Sequence, residues 1–344
     1  MHLRPDHAVR DLPTLHAFIK LHPLGVLTTS LSTENHPTLQ CSHIPWGLDS
    51  ETLESALAKE AEVADENTTS QPHPSMGVLR GHIARQNPQS KAMVESASEY
   101  GKTISIPGAF PITSPAEEPI STGHSLPGEV LIVFTSSVDH YITPNFYTES
   151  KPATGRVAPT WNYAAVQVYG RASIYHDMKD EQTELFLRQQ LGDLAQLGEE
   201  GVMGFQDETG SSLRSNIKHG GESGTGNGDG DPPRCENLSQ NQSPDLEELR
   251  QGVQTAPTGT SGHGDASASP KPWKITDAPR EYIAALLKNI VGMRIEITRI
   301  EGRFKVSQER PVHDRAGVVE GLERIGGTAR DMAEFVRRGK VLPS

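Results

Sequence analysis

Apolar and polar positions along this chain repeat with two periods, and their order sets the expected architecture. Leu12, Leu15, Phe18 and Ile19 fall on one helical face behind Asp11, a good capping residue, and Pro23 closes the element, so the spacing predicts a first helix. Strand-like runs follow at 24–30 (LGVLTTS), 38–48 (TLQCSHIPWGL) and 76–84 (MGVLRGHIA). Asn87 followed by Pro88 opens a second helix, because Asn is favoured at the cap and Pro at the first helical position. EVLIVFT at 129–135 is a short β-branched strand, and in TWNYAAVQVYGRASIYH at 160–176 Asn162, Ala164, Val166 and Val168 alternate with Tyr163, Ala165, Gln167 and Tyr169. That period of two predicts a long, half-buried strand. A helix near 178–197 puts Leu187, Leu191 and Leu194 on one face, and another follows Asp277 with Tyr282, Ile283, Leu286, Leu287 and Ile290. MRIEITRI and RFKVSQER predict a hairpin turning at Glu301 and Gly302, and the C-terminal part reads as two short helices.

Strands outnumber helices and come at hairpin spacing, which favours an antiparallel barrel with peripheral helices over a doubly wound fold. No G-x-G-x-x-G or Walker-type loop occurs.

Composition divides the chain. The segment 207–270 contains no Phe, Tyr or Trp and is dominated by Gly, Ser, Asp, Asn and Pro, so it cannot bury enough apolar area to offset its ordering entropy, and disorder is expected. The expected organisation is a barrel domain begun in 1–203, interrupted by a polar insertion at 204–270, and completed in 271–344, with smaller insertions near 51–75 and 99–127, the second read as a long surface loop. The formal net charge is −12; ten acidic and four basic residues in 204–270 account for −6 of it, leaving −6 on the body. An acidic body lacks the electrostatic footprint of a protein held on nucleic-acid phosphates. Cys41 and Cys235 lie in unlike contexts, so no structural disulfide is expected. No stretch approaches the roughly 18 apolar residues of a membrane span, and no basic start leads into an apolar run. A cytoplasmic protein is the expectation, with a nuclear one left open.

Candidate chemistry concentrates at strand ends. In RGHIARQNP at 80–88 the strand period points Arg80 and His82 the same way, and Arg85 stands just ahead of the helix that Asn87 opens. An arginine beside a helix N-terminus suits a phosphate; the alternative is that Arg85 pairs with a surface carboxylate and Asn87 only caps. Thr28, Thr29, Ser42, His43, Lys305, Ser307 and Gln308 interrupt apolar strands, where they either hold the polar edge of a flat heterocycle or face solvent. Trp161 and Tyr163 flank Asn162, as a stacking surface, a subunit interface or a core cluster. His43, His82 and His140 have no metal-ligand spacing, and no nucleophile motif is present.

The ordered series HPLGVLTT, CSHIPWGLD, GVLRGHIARQNPQ, EVLIVFTSSVDHYITPNFY, PTWNYAAVQVYG, WKITDAP and IVGMRIEITRIEGRFKVSQERP closely resembles the PaiB-type FMN-binding family, often called negative transcriptional regulators. The match runs from about Met1 to Gly321. The family's G-H-x-A-R-x-N-P motif falls on Gly81, His82, Ala84, Arg85, Asn87 and Pro88, its S-H-I-P on Ser42 to Pro45, its T-W-N-Y on Thr160 to Tyr163, and its K-x-S-Q on Lys305, Ser307 and Gln308. Departures are Ser90 in place of an aromatic, Ser137 and Val138 in place of Gly-Pro, Glu309 in place of Asn, and the long insertions, which suggest a fungal member.

The resemblance implies a six-stranded antiparallel FMN-binding split barrel, usually a homodimer with flavin near the subunit interface. Chemistry then nominates Thr28, Thr29, Ser42, His43, His82, Arg85, Asn87, Tyr141, Trp161, Asn162, Lys305, Ser307 and Gln308 as cofactor-binding, with Arg85 and the Asn87 helix start at the phosphate and Lys305, Ser307 and Gln308 at the flavin edge. Two function classes follow: an FMN-dependent oxidoreductase acting on a small molecule, with His82 or Tyr141 near the substrate, and a regulator of transcription working directly or through a partner. The acidic body and the lack of a helix-turn-helix or zinc module argue against direct DNA binding. A haem-binding barrel is a third, weaker expectation, resting on His43, His82 and His140 alone.

Overall fold

Asp11 accepts the Thr14 backbone N–H at 3.0 Å and so opens helix α1 (Leu12–Leu21), whose Leu15, Phe18 and Ile19 are buried. A computed structural model of the chain describes residues 1–49, 76–104, 124–206 and 271–342. In chain order the elements are short strand β1 (Ala8–Val9), α1, β2 (Leu24–Ser30), β3 (Leu39–Pro45), β4 (Gly47–Asp49), β5 (Val78–Ala84) and α2 (Pro88–Ile104). Then come β6 (His124–Thr135), β7 (His140–Ile142), α3 (Ser150–Thr154), β8 (Thr160–Tyr175) and α4 (Glu181–Gln196). Helix α5 (Arg280–Lys288), β9 (Ile290–Lys305), α6 (Val312–Ile325) and α7 (Thr328–Arg338) complete the body. The described residues within 1–204 and 273–342 pack as one unit. The polar stretch 51–75 and the insertion expected to be disordered, 207–270, lie outside the described residues.

All the pairings are antiparallel, in the order β3-β2-β6-β8-β9-β5-β4, with β1 on β9 and β7 on β8. The two ends of that order, β3 and β4, are separated in sequence only by Trp46. The sheet must therefore curl until its ends approach, yet no ladder joins them among the described residues, which makes the barrel a split one. Trp46 and Ile44, both 1% exposed, fill the seam against β5. A Cβ on Gly81 would lie 2.9 Å from the Trp46 ring and 3.2 Å from Ile44 Cγ2, so its absence leaves room for both side chains in the seam. The expected six strands are the six of seven residues or more; β1, β4 and β7 are short additions at their edges. Leu27, Ile132, Phe134, Val166, Val168, Val291 and Ile295, each fully buried, fill the interior, and each such side chain contributes about 1.5–3 kcal/mol.

Two expectations are corrected. The hairpin at Glu301 and Gly302 does not exist: β9 is one strand, and these residues face Gln167 and Val166 of β8 within the ladder. Gly302 serves close packing instead of a turn. A Cβ there would collide with Leu15 Cδ2 and come within 3.1 Å of Val9 Cβ, so its absence seats α1 and β1 on the sheet. The two ends of the loop expected from 101 to 127 are helix and strand, because α2 runs to Ile104 and β6 starts at His124, with a register shift between Ser125 and Glu129 that absorbs Pro127 and Gly128; 105–123 lie outside the described residues.

The C-terminal helices dock through a buried acid. Asp314, fully buried, accepts the N–H groups of Glu149 at 2.8 Å and Ser150 at 3.1 Å together with the Ser150 hydroxyl. Burial alone would raise its pKa, but these hydrogen bonds outweigh it and hold the carboxyl below its ordinary value. Gly317 and Gly321 complete the contact, since a Cβ at either would collide with Phe146.

Gly302→Val is expected to destabilise the fold by about 1–3 kcal/mol through overpacking, read as a lower urea midpoint. Asp314 is depressed in the folded state, so its contribution is present above the ordinary carboxylate range and is lost as pH falls through the folded value. Asp314→Asn should cost about 1–3 kcal/mol at neutral pH and flatten the acid limb of the stability curve, as checked by denaturant melts across pH.

Candidate functional site

Strand β5 carries the stretch 80–88 as its period demands: Arg80 and His82 point the same way, towards α4. Arg80 bonds Asp49 through Nε at 2.6 Å and Nη2 at 2.7 Å and also reaches Asp193, and these bonds, that to Asp49 first, raise its pKa against the opposing effect of burial. His82 Nδ1 is hydrogen-bonded to Gln190 Oε1; burial holds its pKa below the ordinary value, with Gln190 opposing.

Arg85 is a clamp. Nε donates to the Lys288 carbonyl at 2.9 Å, Nη2 to those of His176 at 2.7 Å and Ile290 at 3.2 Å, and its own N–H to that of Asn289 at 2.8 Å. The last carbonyls of a helix carry partial negative charge, so a guanidinium belongs there. Arg85, expected at a phosphate, in this structure ties the end of α5 and the start of β9 to the end of β5.

Asn87 does cap α2, with Oδ1 accepting from Gln89 N at 2.9 Å, and its Nδ2 donates to Ser42 Oγ at 3.1 Å. Gln89, 1% exposed, brings Nε2 to Thr29 Oγ1 at 3.1 Å and to the carbonyls of Gln40 at 3.2 Å and Leu27 at 3.3 Å. Ser42, Thr29 and Asn87 are thus linked through Gln89 in a knot that pins α2 to the β2-β3 pair. Sequence reasoning missed Gln89, whose only signal is its place directly after the Asn-Pro start. Thr28 is half-buried on the other face of β2, and His43 is exposed on β3 beside Val26.

A second group gathers where β7, β8 and β9 end together. Tyr141 pairs with Trp161 and Tyr163 with Lys305. Lys305 is 8% exposed, and its ammonium donates to the Trp161 carbonyl at 2.9 Å and to Thr160 Oγ1. No carboxylate lies within ion-pair distance of it among the described residues. Burial lowers its pKa, and the more distant Glu309 opposes this. Asn162, fully buried, donates to Ser307 Oγ at 2.9 Å, and Ser307 holds a left-handed backbone at φ 60°. Gln308 folds back over the turn, accepting from Val306 N at 2.7 Å and donating to the carbonyls of Phe304 at 2.5 Å and Asp6 at 2.9 Å. Outside this knot Trp161 is 54% and Tyr141 43% exposed, with ring centroids 6.2 Å apart at 70°. Thr160, noted only within the T-W-N-Y motif, and Glu309, noted only as a departure from the family pattern and paired with His7 Nε2 at 3.1 Å, were not among the nominated binding residues.

The three histidines of the haem expectation do not converge. His43 is exposed, His82 lies under α4, and His140 is bonded through Nδ1 to the Tyr141 carbonyl at 2.7 Å. Among the described residues no group of three or more His, Cys, Asp or Glu is placed to hold a metal ion, and no helix is long and apolar enough to cross a membrane.

A family model described as "Putative FMN-binding domain" matches residues 1–218 and 245–299. The chain belongs to this FMN-binding family. Uncharacterized proteins of two fungi resemble it along nearly their whole length: one of Aspergillus fumigatus is 36% identical over 326 residues, covering 95% of this chain and 92% of the relative, and one of Emericella nidulans is 34% identical over 344 residues, covering 99% and 98%. Among solved structures the flavocytochrome Anf3 of Azotobacter vinelandii is similar with a TM-score of 0.36 and 9% identity over 92% of this chain and 78% of that one. The fold assignment rests on the strand order above. FMN is the cofactor of this family, and the Trp161 corner fits it chemically: two exposed aromatic rings beside an ammonium that uses two of its three N–H groups on the protein.

Arg85→Ala is expected to lower unfolding stability by about 1–3 kcal/mol, the cost of leaving the partly buried carbonyls of His176 and Ile290 without their donor, while FMN affinity changes little. Denaturant melts and FMN titration of the variant check both.

Proposed function

We propose that this chain is a homodimeric flavoprotein in which FMN lies against the Tyr141, Trp161 and Lys305 corner and exchanges electrons with a small molecule. The observation that carries this is the exposed aromatic pair beside a buried ammonium with no carboxylate within ion-pair distance among the described residues. When bound, FMN supplies the electron-transfer chemistry. Trp161 and Tyr141 offer apolar ring surface to a flat heterocycle. Lys305 places positive charge at its polar edge, held in place by Thr160 and the Trp161 carbonyl, in a setting where burial strengthens its field. Asn162, Ser307 and Gln308 fix the turn that positions Lys305.

A second copy supports this arrangement by covering apolar surface. The sheet face that carries Val26, Thr28, Leu131, Val133, Gln167 and Tyr169 is only half-buried, and Leu39 at its edge is 70% exposed. An exposed apolar sheet face of this kind marks an interaction surface. The formal net charge of −12 supports a small-molecule role over contact with DNA phosphates.

Lys305→Met and Trp161→Ala should each weaken FMN binding about tenfold or more, equivalent to about 1.4 kcal/mol, with the thermal midpoint nearly unchanged for Trp161→Ala. Titration of the apo-protein followed by flavin fluorescence reads this, and unchanged affinity in both variants removes the corner from the flavin site. Bleaching of the bound flavin by NAD(P)H, followed by recovery of its absorbance on adding a small acceptor, is the expected sign of an oxidoreductase.

A further inference from the structure

We propose that a second cleft, walled by the N-terminal segment, the end of β9 and the C-terminal tail, binds a small organic anion that carries a hydroxyl or amine. The cleft holds about 410 Å³, within the range of about 300–1,000 Å³ typical of small-molecule sites. Ala8, Val9, Phe304, Val341 and Leu342 give it an apolar floor, with Phe304 and Val341 themselves buried.

Two polar groups in its wall lack partners. His7 is 2% exposed; Nε2 is bonded to Glu309 at 3.1 Å, and Nδ1 is buried with no hydrogen-bond partner among the described residues. The Glu309 carboxylate can only accept, so Nε2 carries a proton, and the tautomer with that single proton presents a lone pair at Nδ1 that needs a donor. An unpaired buried nitrogen is costly, so a ligand hydroxyl or amine N–H that reaches it gains the full benefit of the bond. The second group is Lys340, exposed and free of any ion pair or hydrogen bond among the described residues. The other charge in the wall, Asp6, lies 3.7 Å from Arg4. Lys340 is thus the charged group of the wall with no ion pair among the described residues, and a ligand carboxylate gives it one.

This site is distinct from the flavin corner but shares a segment with it. Phe304 and Gln308 line the cleft, while Lys305 between them turns to Thr160 and Trp161. Gln308 joins the two by bonding the carbonyls of Asp6 and Phe304.

The test uses the full-length, FMN-loaded protein, with 4-hydroxybenzoate as a probe that combines carboxylate, flat apolar body and hydroxyl, and benzoate as its partner without the hydroxyl. Ligand-observed NMR titration should show 4-hydroxybenzoate binding about tenfold more tightly than benzoate, and Lys340→Met should weaken it by about the same factor. Leu342→Trp, which fills the cleft from its half-buried rim, should abolish binding without lowering the thermal midpoint. No binding of either probe at millimolar concentration, or binding indifferent to Lys340→Met and Leu342→Trp, overturns the site; equal binding of the two probes overturns the role of His7. Flavin absorbance recorded in the same samples reports FMN retention separately, so failure of the flavin site and failure of this one are told apart.

Discussion

The ladder between β8 and β9 is the interaction on which the rest of this protein depends. It runs antiparallel from Tyr163 opposite Lys305 to Tyr175 opposite Gly292. Strand β6 hangs on the other side of β8, and β5 and β1 share the free side of β9, so one pair of long strands sets the register of nearly the whole barrel. Gly170 marks its one irregularity: a Cβ there would collide with the Glu296 carbonyl and lie 2.6 Å from Ile295 Cγ2, and the register shifts between Tyr169 and Gly170. Such a bulge adds local twist, which helps a flat ladder curl towards closure. The same ladder ends by setting Lys305 beside Thr160 and Trp161, so the geometry of the Trp161 corner is a direct product of strand register.

Elements that depend on local pattern were legible in the sequence. Helix α1 follows from its cap and its apolar face, α2 from Asn87 and Pro88, and β8 from its strict alternation. The hairpin misread at Glu301 and Gly302 shows the limit. A glycine after an acid between two alternating runs has the composition of a turn, but here its lack of a Cβ is used by Leu15, a residue almost three hundred positions away. Nothing local distinguishes a glycine that bends the chain from one that lets a helix approach it.

Polar residues at strand ends show the same limit in the site. Ser42, Thr29 and Asn87 do converge, but around Gln89 and as structural mortar; Arg85 meets the carbonyls at the end of α5 rather than an anion. Their partners come from segments distant in sequence, so residue type alone could not separate binding from bracing. The Trp161 corner differs because it leaves large aromatic surface exposed next to a buried ammonium that has no carboxylate within ion-pair distance among the described residues. Membership of the FMN-binding family supplies the ligand for which that combination is suited.

Amide hydrogen exchange of the full-length protein with and without FMN tests the central claim most directly. The account predicts that added protection concentrates on 140–142, 160–163 and 305–308, the three segments that meet at the corner. Protection confined to 80–90, with those three segments unchanged, would contradict it and return the phosphate and the flavin to the β5-α2 junction.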